Sequence, residues 1–544
     1  MHVFGRSEGG IKYTLKKVRE MKLLLTTTKS DNKRTDLAMK YMYSVVADSP
    51  MNVTLRIFDR NTGYIDMYEE IAGSQYNIVY FHCDEYNINK LLHVAEMVKK
   101  AIPSIAIIFG GMEVSFHTRV FMKDHPQVDY VIRGEGERVL FNFIKSIMNY
   151  EYDFENIAGL AYREDDAVVV NPFDAPIDME SLPFPYERFE AGKGTVYYES
   201  IRGTSDRSAY AQYLPDARVR TLPLGRICTE IRYFLACEVE RVVFLDRWFN
   251  YNSERAYRIF EYIIHNDNGI TSFEFNINGD DLDEETLRLL AEARNGQIML
   301  NVDLASTNSE VLATIGRNEN VYRLMYNITK LIQGGKVETN IIVRTGLPME
   351  SEEMFARSFN KAYGMAEGMP VHIESIRISK GSRLREEAGR FGYIYSDEAP
   401  YDVISSGYMS ADEMLKLSFI AKTVESYIGD GGFKNSIPKM LNDTGLKPYE
   451  LFRSLTAYIR RNKLSGKMKK KEHLARILYS FAGGLYDELS DAIKLDVLRD
   501  VIYAELESEL SEDAMRKFDR KGWDIGIKAV EEVTEEEETD TEEI

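Results

Sequence analysis

Two glycine-containing loops carry residue types suited to binding a flat ligand. One reads Gly-Gly-Met-Glu-Val-Ser over residues 110–115, and the other reads Gly-Glu-Gly-Glu over residues 134–137. Glycine permits positive φ and lets the backbone approach a ligand closely. The alternative for either loop alone is a tight turn between a strand and a helix. The candidate binding residues are Gly110, Gly111, Glu113, Ser115, Gly134, Glu135, Gly136, Glu137 and, after another strand, Cys83.

These loops follow the strands of a predicted parallel sheet. Continuous apolar strands that alternate with helices indicate a parallel sheet covered on both faces, which is a doubly wound α/β fold. In that fold ligands bind beyond the carboxyl ends of the strands. Cys83 lies at one such end, where it either faces the ligand or is a small buried residue. The five predicted strands are residues 22–26, 53–58, 78–82, 105–109 and 130–133.

Six further strand-and-helix units follow a proline-containing linker, residues 171–189. Six such repeats predict a partial TIM-like barrel whose reactive face lies at the carboxyl ends of its strands. Asp246 and Arg247 end the second of these strands and Arg344 ends the fifth, so all three are candidate cofactor-binding residues. The six predicted strands are residues 195–200, 241–246, 272–277, 298–303, 339–344 and 372–377.

Polar residues also alternate along the third barrel strand. Glu274, Asn276 and Asn278 share one face by the period of two that a strand imposes. Buried polar groups need hydrogen-bond partners, so these side chains either line a ligand site or form a network that satisfies itself.

Two basic residues follow the sixth barrel strand, Arg377 and Lys380. They are candidates for binding an anionic group. The alternative is that Lys380 is solvated and that Arg377 pairs with Glu374 or Asp246.

The chain resembles the cobalamin (B12)-binding radical S-adenosylmethionine (SAM) family. The resemblance rests on the glycine loops and on the segments VDYVIRGEGE, VVFLDRWFN, TGLPMES and SKGSRLREEAGRFGY. It implies a cobalamin-binding domain over residues 21–150, a linker over 151–190, a radical-SAM-like partial barrel over 191–390 and a helical domain over 391–515. It also implies that cobalamin lies between the first domain and the barrel. The motif D-x-H-x-x-G is absent, so we expect no histidine ligand to cobalt.

The sequence departs from that family at one loop. The three places of the family's C-x3-C-x2-C motif read Thr204, Ser208 and Ala211 here. An iron–sulfur cluster needs thiolate ligands, which neither a hydroxyl nor a methyl group replaces. Cys228 and Cys237 lie on a predicted helix but are too far apart to share a face. We therefore predict that the [4Fe–4S] cluster is absent and leave the binding of SAM open.

Length, composition and charge limit which classes of protein this chain can belong to. The length of 544 residues predicts about three domains. No apolar run long enough to span a membrane occurs, and the three scattered cysteines favour a reducing cytoplasm over a disulfide framework. The net charge of −19 argues against nucleic-acid binding. Residues 1–20 are predicted to be an extension, and residues 516–544 a disordered acidic tail.

These observations favour a cobalamin-dependent enzyme that acts on a small-molecule substrate by cluster-independent chemistry. The alternative is a catalytically inactive pseudoenzyme that is a regulatory or scaffold partner of an intact relative. A third possibility is a radical SAM methylase that was inactivated by mutation. The oligomeric state stays open.

Overall fold

The computed structural model describes residues 20–30, 34–165, 167–205, 208–429, 432–488 and 492–525. The chain divides into two units, Met1–Ser418 and Phe419–Ile544. Most of the predicted extension and of the predicted acidic tail lie outside the described residues. Within the described ranges, no helix has the length and apolar character to cross a bilayer.

The first sheet has seven strands in the order β2-β1-β3-β4-β5-β6-β7. Strands β1 to β5 are parallel, so the predicted doubly wound sheet is confirmed. The strands are β1 Lys22–Thr28, β2 Asn52–Phe58, β3 Ile78–His82, β4 Ala106–Gly110, β5 Tyr130–Ile132, β6 Leu160–Glu164 and β7 Ala167–Val170. The helices are α1 Arg34–Val46, α2 Tyr64–Gly73, α3 Ile88–Ala101, α4 Met112–Ser115, α5 Thr118–Asp124 and α6 Gly136–Met148.

Both faces of this sheet are buried, as its apolar strands predict. Leu23 and Leu25 of β1 belong to one core cluster, and Leu24 belongs to the cluster on the opposite face. Successive side chains of a strand point to opposite faces, so a run of leucines supplies both cores at once.

Strands β6 and β7 form an antiparallel extension of the sheet inside the region predicted as a linker. Both are short, and the sheet edge formed by β5 supplies the backbone groups with which β6 pairs. That edge cannot be recognised in a local sequence window. Short 3-10 helices complete the connection, at Phe154–Asn156, Met179–Ser181 and Pro185–Glu187.

The second sheet is parallel and six-stranded, in the order β15-β14-β13-β12-β11-β8. This confirms the predicted partial barrel, and all eleven predicted strands of the two sheets are present to within two residues at each end. Its strands are β8 Thr195–Tyr198, β11 Arg241–Phe244, β12 Ser272–Ile277, β13 Ile298–Ala305, β14 Glu338–Thr345 and β15 Val371–Ser375. Its helices are α7 Leu224–Ala236, α8 Ser253–His265, α9 Glu284–Leu290, α10 Ser309–Thr314, α11 Val321–Gly334, α12 Glu352–Ala366 and α13 Arg383–Glu386, with a 3-10 turn at Gly279–Asp281.

Two small antiparallel pairs lie beside this sheet. Strand β9, Ile201–Arg202, pairs with β10, Arg220–Thr221, and together they close a long loop after the first barrel strand. Strand β16, Ile394–Tyr395, pairs with β17, Val403–Ser405. The loop between β9 and β10 contains the three places where the family's cysteines were expected.

The remaining chain is helical, as predicted. Helix α14, Ala411–Val424, continues into a π-helical turn at Glu425–Gly429. The last helix extends beyond residue 515, where the helical domain was predicted to end. The helices are α15 Ser436–Thr444, α16 Pro448–Arg461, α17 Lys471–Glu488, α18 Ala492–Glu509 and α19 Glu512–Lys521, with a 3-10 turn at Ser465–Lys467.

Candidate functional site

A cavity of about 710 Å³ lies between the carboxyl ends of the first sheet and the mouth of the barrel. Residues of both parts of the first unit line it, including Cys83 and Glu137 from one side and Thr204 and Arg247 from the other. Its volume is in the range usual for small-molecule and cofactor sites, which are commonly about 300–1,000 Å³.

The Gly-Gly loop is shaped by contacts with β3. Gly111 has φ of +111°, and a Cβ there would lie 2.1 Å from the carbonyl oxygen of Cys83. A Cβ on Gly110 would lie 2.3 Å from the Tyr80 hydroxyl. The two glycines are therefore required by the packing of the protein itself. Gly111 lies on the cavity wall.

Cys83 is a buried residue on the same wall. Its thiol donates a hydrogen bond of 3.2 Å to the carbonyl oxygen of Gly110, and burial raises the pKa of the thiol well above its usual range. A buried, protonated thiol is a weak nucleophile and a weak metal ligand. This geometry favours the second of the two predicted roles, a small residue at the end of a strand.

Ser115 joins the two glycine loops. Its hydroxyl donates to the carbonyl oxygen of Gly111 at 2.8 Å and accepts from the backbone N–H of Gly134 at 2.8 Å. Ser115 is fully buried. It therefore positions both loops, and Gly134 and Gly136 of the second loop lie on the cavity wall.

Glu113 connects the first domain to the segment that follows the last barrel strand. It is buried, and its Oε1 lies 2.7 Å from Lys380 Nζ and accepts a hydrogen bond from the Tyr401 hydroxyl. Its Oε2 has no hydrogen-bond partner in the described part of the chain. The expectation that Lys380 is solvated is wrong, because the lysine neutralises this buried carboxylate.

The other basic residue of that segment also differs from expectation. Arg377 Nε lies 3.2 Å from Asp402 Oδ1, and its Nη1 donates to the Tyr86 hydroxyl at 2.6 Å. The predicted pairing with Glu374 or Asp246 is therefore wrong. Asp402 lies within reach of Arg377 because the chain turns back there and forms the antiparallel pair of β16 and β17.

Arg202 is the centre of a buried cluster of charges on the cavity wall. Its Nη2 donates to Glu137 at 2.6 Å and its Nε donates to Glu199 at 2.8 Å. Arg220 likewise pairs with Glu135. Burial opposes the ionisation of Glu137, but the pKa of this carboxyl is lowered because Arg202 lies beside it.

The acids of the Gly-Glu-Gly-Glu loop thus hold the first domain against the barrel. These contacts link residues 65 and 85 positions apart in the chain. Reasoning from the sequence did not find the pairing, since no local pattern records which arginine meets which glutamate.

Asp246 and Arg344 lie behind the cavity wall, whereas Arg247 lies on it. The Asp246 carboxylate accepts from the backbone N–H groups of Ser200 and Ile201, at 2.7 and 2.8 Å, and from the Ser200 hydroxyl. Its burial raises the pKa of the carboxyl to about 6. Asp246 therefore holds the start of the long loop after the first barrel strand.

Arg344 forms ion pairs with two carboxylates. It lies 2.9 Å from Asp303 and 2.9 Å from Glu374. Arg247 differs, because it is exposed on the wall with its guanidinium carbon 5.3 Å from the centre of the Tyr213 ring.

The polar face of the third barrel strand forms a hydrogen-bonded network. The Asn301 amide donates to Glu274 at 2.9 Å and to Asn276 at 3.3 Å, and it accepts from Asn340 at 2.8 Å. These bonds match the self-satisfying arrangement of the alternative prediction, but Asn276 also lines the cavity, as the prediction of a ligand site requires. Asn278 belongs elsewhere, since its backbone N–H and carbonyl bond to Asn250.

The loop with the altered cysteine positions is held by backbone hydrogen bonds. Thr204 N–H donates to Ala217 at 3.0 Å, and Ala211 N–H donates to the carbonyl of Ser208 at 3.0 Å. Ala209 bonds through its backbone to Ile315 and Leu384, each at 2.8 Å. Thr204 lies on the cavity wall, but Ser208 and Ala211 do not.

The cysteines elsewhere do not form a metal centre. Cys228 lies within α7 and Cys237 at its end, and both are free thiols, as is Cys83. Over the residues whose structure is described, no group of three histidine, cysteine or acidic side chains is arranged to hold a metal ion.

Three family models match this chain. A B12 binding domain matches residues 23–143 and the radical SAM superfamily matches residues 211–362. A family described as a protein of unknown function (DUF4080) matches residues 389–536. The predicted resemblance is therefore confirmed at the level of these two domains. The radical SAM match begins at Ala211, after the positions of Thr204 and Ser208.

Solved structures share the fold. The cobalamin-dependent SAM radical enzyme OxsB with aqua-cobalamin bound is 13% identical, with a TM-score of 0.59, over 93% of this chain and 84% of that one. The methyltransferase TsrM from Kitasatospora setae, with cobalamin and a [4Fe–4S] cluster bound, is 15% identical with a TM-score of 0.54, over 70% of this chain and 78% of that one.

A curated relative is similar over a short region. The anaerobic magnesium-protoporphyrin IX monomethyl ester cyclase of Synechocystis is 27% identical over 88 residues. The alignment covers 16% of this chain and 15% of the relative, so the chain spans a small part of that protein's length.

Proposed function

We propose that this chain, which combines a B12-binding domain with a radical SAM domain, binds cobalamin and acts on a small molecule by chemistry that uses no iron–sulfur cluster. The cavity between the carboxyl ends of the first sheet and the barrel mouth carries the proposal. It lies where a doubly wound sheet and a TIM-like barrel each bind their ligands.

The residues of the wall fit a corrin. Glu113 Oε2 is a buried acceptor without a partner among the described residues, and Glu113 lies on the cavity wall. A buried acceptor left unpaired is costly, and the side-chain amides of a corrin are N–H donors that would satisfy it. Bound cobalamin would supply the cobalt chemistry, and the protein's part is to position it.

We further propose that no histidine binds cobalt. His117 is not among the residues that line the cavity. His82 lies on the wall, but its Nδ1 is 3.2 Å from the Tyr80 hydroxyl. Electron paramagnetic resonance of the Co(II) form tests this directly. We expect His82→Ala to leave the nitrogen splitting of the spectrum unchanged, and a splitting that this variant abolishes would overturn the assignment.

The absence of a cluster is proposed from the residue types of the loop. Thr204 and Ser208 offer weakly acidic hydroxyls and Ala211 offers no donor atom, whereas iron–sulfur clusters are held by thiolates. Backbone hydrogen bonds at Thr204, Ala209 and Ala211 support the described parts of this loop. They favour a loop whose conformation needs no metal ion.

Corrin uptake tests the central proposal. Purified protein incubated with hydroxocobalamin and then desalted is expected to be red, with a corrin absorbance spectrum at about one equivalent. Glu113→Gln tests the fit of the wall and is expected to weaken retention. Glu292→Gln is a matched control on an exposed helix end. Protein that stays colourless contradicts cobalamin binding.

Anaerobic reconstitution with iron and sulfide tests the second part. We expect no stoichiometric iron in the wild-type protein, and about four irons per chain would overturn that part of the proposal. The triple variant Thr204→Cys, Ser208→Cys, Ala211→Cys is the matched comparison. If it binds a cluster, the loop has lost its ligands but kept its conformation.

The alternative function is a pseudoenzyme that partners an intact relative. The hydrogen bonds that join Glu274, Asn276, Asn301 and Asn340 favour it, because only Asn276 of these four residues lines the cavity. Colourless protein that copurifies stoichiometrically with a cluster-containing radical SAM enzyme would support this alternative.

A further inference from the structure

The acidic side chains on the cavity wall already have partners. The wall has more acidic than basic side chains, yet each acidic side chain is paired with a nearby cation or accepts hydrogen bonds. The ion pairs are Glu113–Lys380, Glu135–Arg220, Glu137–Arg202, Glu199–Arg202, Asp216–Arg218 and Glu374–Arg344. Hydroxyl groups serve the remaining two, since Thr35 donates to Asp84 at 2.8 Å and Ser379 donates to Glu85 at 2.7 Å.

Arg247 is the exception among the charged groups on this wall. It immediately follows the buried Asp246 at the barrel mouth and is exposed to the cavity. No carboxylate of the described residues lies within ion-pair distance of the Arg247 guanidinium, which lies over the ring of Tyr213. Two other arginines on the wall, Arg202 and Arg220, are held in ion pairs.

The ring beneath Arg247 is itself held in place. The Tyr213 hydroxyl donates to the carbonyl of Ser208 at 3.1 Å, and its backbone N–H donates to the carbonyl of Gly381 at 3.3 Å. A guanidinium over an aromatic face is partly ordered before a ligand arrives. Its N–H groups form a planar fork that matches an oxyanion in a bidentate manner.

We propose that Arg247 binds the oxyanion, a carboxylate or a phosphate, of the small molecule that occupies this cavity. The inference rests on the proposed function, because it takes the cavity as the site of the reaction. It adds the class of substrate: a molecule with an anionic group held at the barrel mouth, beside Tyr213.

Titration calorimetry on cobalamin-loaded protein, at constant ionic strength, tests the proposal with two probes, succinate and inorganic phosphate. We expect one of them to bind, and Arg247→Gln to weaken that binding about tenfold to a hundredfold, as the loss of a charge-assisted hydrogen bond predicts. Preference for succinate indicates a carboxylate substrate, and preference for phosphate a phosphorylated one.

The control is Arg390→Gln. Arg390 is also exposed and lies over an aromatic ring, that of Phe391, but it does not line the cavity. Its replacement should leave anion binding unchanged. Arg247→Lys keeps the charge without the fork and should have an intermediate affinity.

Three results would overturn the inference. The first is that neither anion binds the wild-type protein. The second is that Arg247→Gln binds the anion as tightly as wild type does. The third is that Arg247→Gln loses cobalamin while its affinity for the anion is unchanged. The corrin spectrum separates these failures from failure of the proposed function. Protein that never takes up cobalamin defeats the function itself, whereas a red protein that ignores both anions defeats only the assignment of Arg247.

Discussion

The two walls of the cavity are built in different ways. The wall from the first domain depends on side chains and special backbone geometry: Gly111 fits against the Cys83 carbonyl, and Glu137 is neutralised by Arg202. On the barrel wall, the loop that contains Thr204 and Ser208 is bonded through its backbone at Thr204, Ala209 and Ala211, and the Asp246 carboxylate holds its start.

This difference predicts how each wall tolerates substitution. Backbone hydrogen bonds do not depend on the side chains of the residues that make them, so the side chains at Thr204, Ser208 and Ala211 can be exchanged with little cost. A buried ion pair has no such tolerance, because removing one partner leaves a buried charge. We therefore expect substitutions at Gly111 and in the ion pairs that join the two walls to change stability more than substitutions at Thr204, Ser208 and Ala211.

The largest effect is expected from Arg202→Met. The substitution leaves Glu137 and Glu199 buried without their cation, which should lower the free energy of unfolding by about 3–5 kcal/mol. Urea unfolding measures it. The double variant Arg202→Met, Glu137→Gln should recover part of the loss, and equal stability of the single variant and wild type would contradict the buried cluster.

Gly111→Ala is expected to be the next most damaging. Its Cβ would meet the Cys83 carbonyl at 2.1 Å and its φ of +111° is strained for alanine, so we expect a loss of about 3 kcal/mol. Thermal unfolding and corrin retention should both decrease. Gly364→Ala, in a helix with no atom within 4 Å of the new Cβ, should instead be neutral or stabilising.

A buried acid in the segment that follows the fifth barrel strand gives a smaller, pH-dependent effect. Glu350 is fully buried, accepts from Ser306 at 2.8 Å, and has a pKa raised by burial from 4.5 to about 8. The folded state keeps a proton that the unfolded chain releases above about pH 4.5. Stability should therefore fall as the pH rises from about 4.5 to 8, by up to about 1.4 kcal/mol per pH unit.

Glu350→Gln removes this titration. Unfolding measured from pH 5 to pH 8 should give a flatter profile for this variant, with greater stability than wild type at the upper end. Glu292→Gln, at an exposed position, should follow the wild-type profile. Profiles of wild type and Glu350→Gln that run parallel would show that Glu350 is already ionised in the folded protein.

The smallest change in stability is expected for the variant with all three cysteines restored. Thr204, Ser208 and Ala211 keep their backbone bonds whatever their side chains, so the metal-free variant should differ from wild type by less than about 1.5 kcal/mol. Urea unfolding under reducing conditions measures this. A larger loss would mean that these side chains, and not the backbone, hold the loop.

The sequence by itself determined the order of the eleven parallel strands and, to within two residues, their bounds. A short run of apolar residues, such as Leu23–Leu25 or the residues of β4, indicates that both faces of the strand are buried. The residues at the ends of those strands follow from the same pattern. The altered loop was also evident from the sequence, because a missing thiol needs no structure to be recognised.

Only the tertiary structure decided what the residues at those ends do. Glu135 and Glu137 meet arginines 85 and 65 positions away, and Asp246 lies behind the wall while its neighbour Arg247 lies on it. The periodicity of apolar residues in the sequence indicates whether a residue is buried, but it does not identify the residue's partner. Partners across a cavity are set by how two sheets pack, which is a property of the whole first unit.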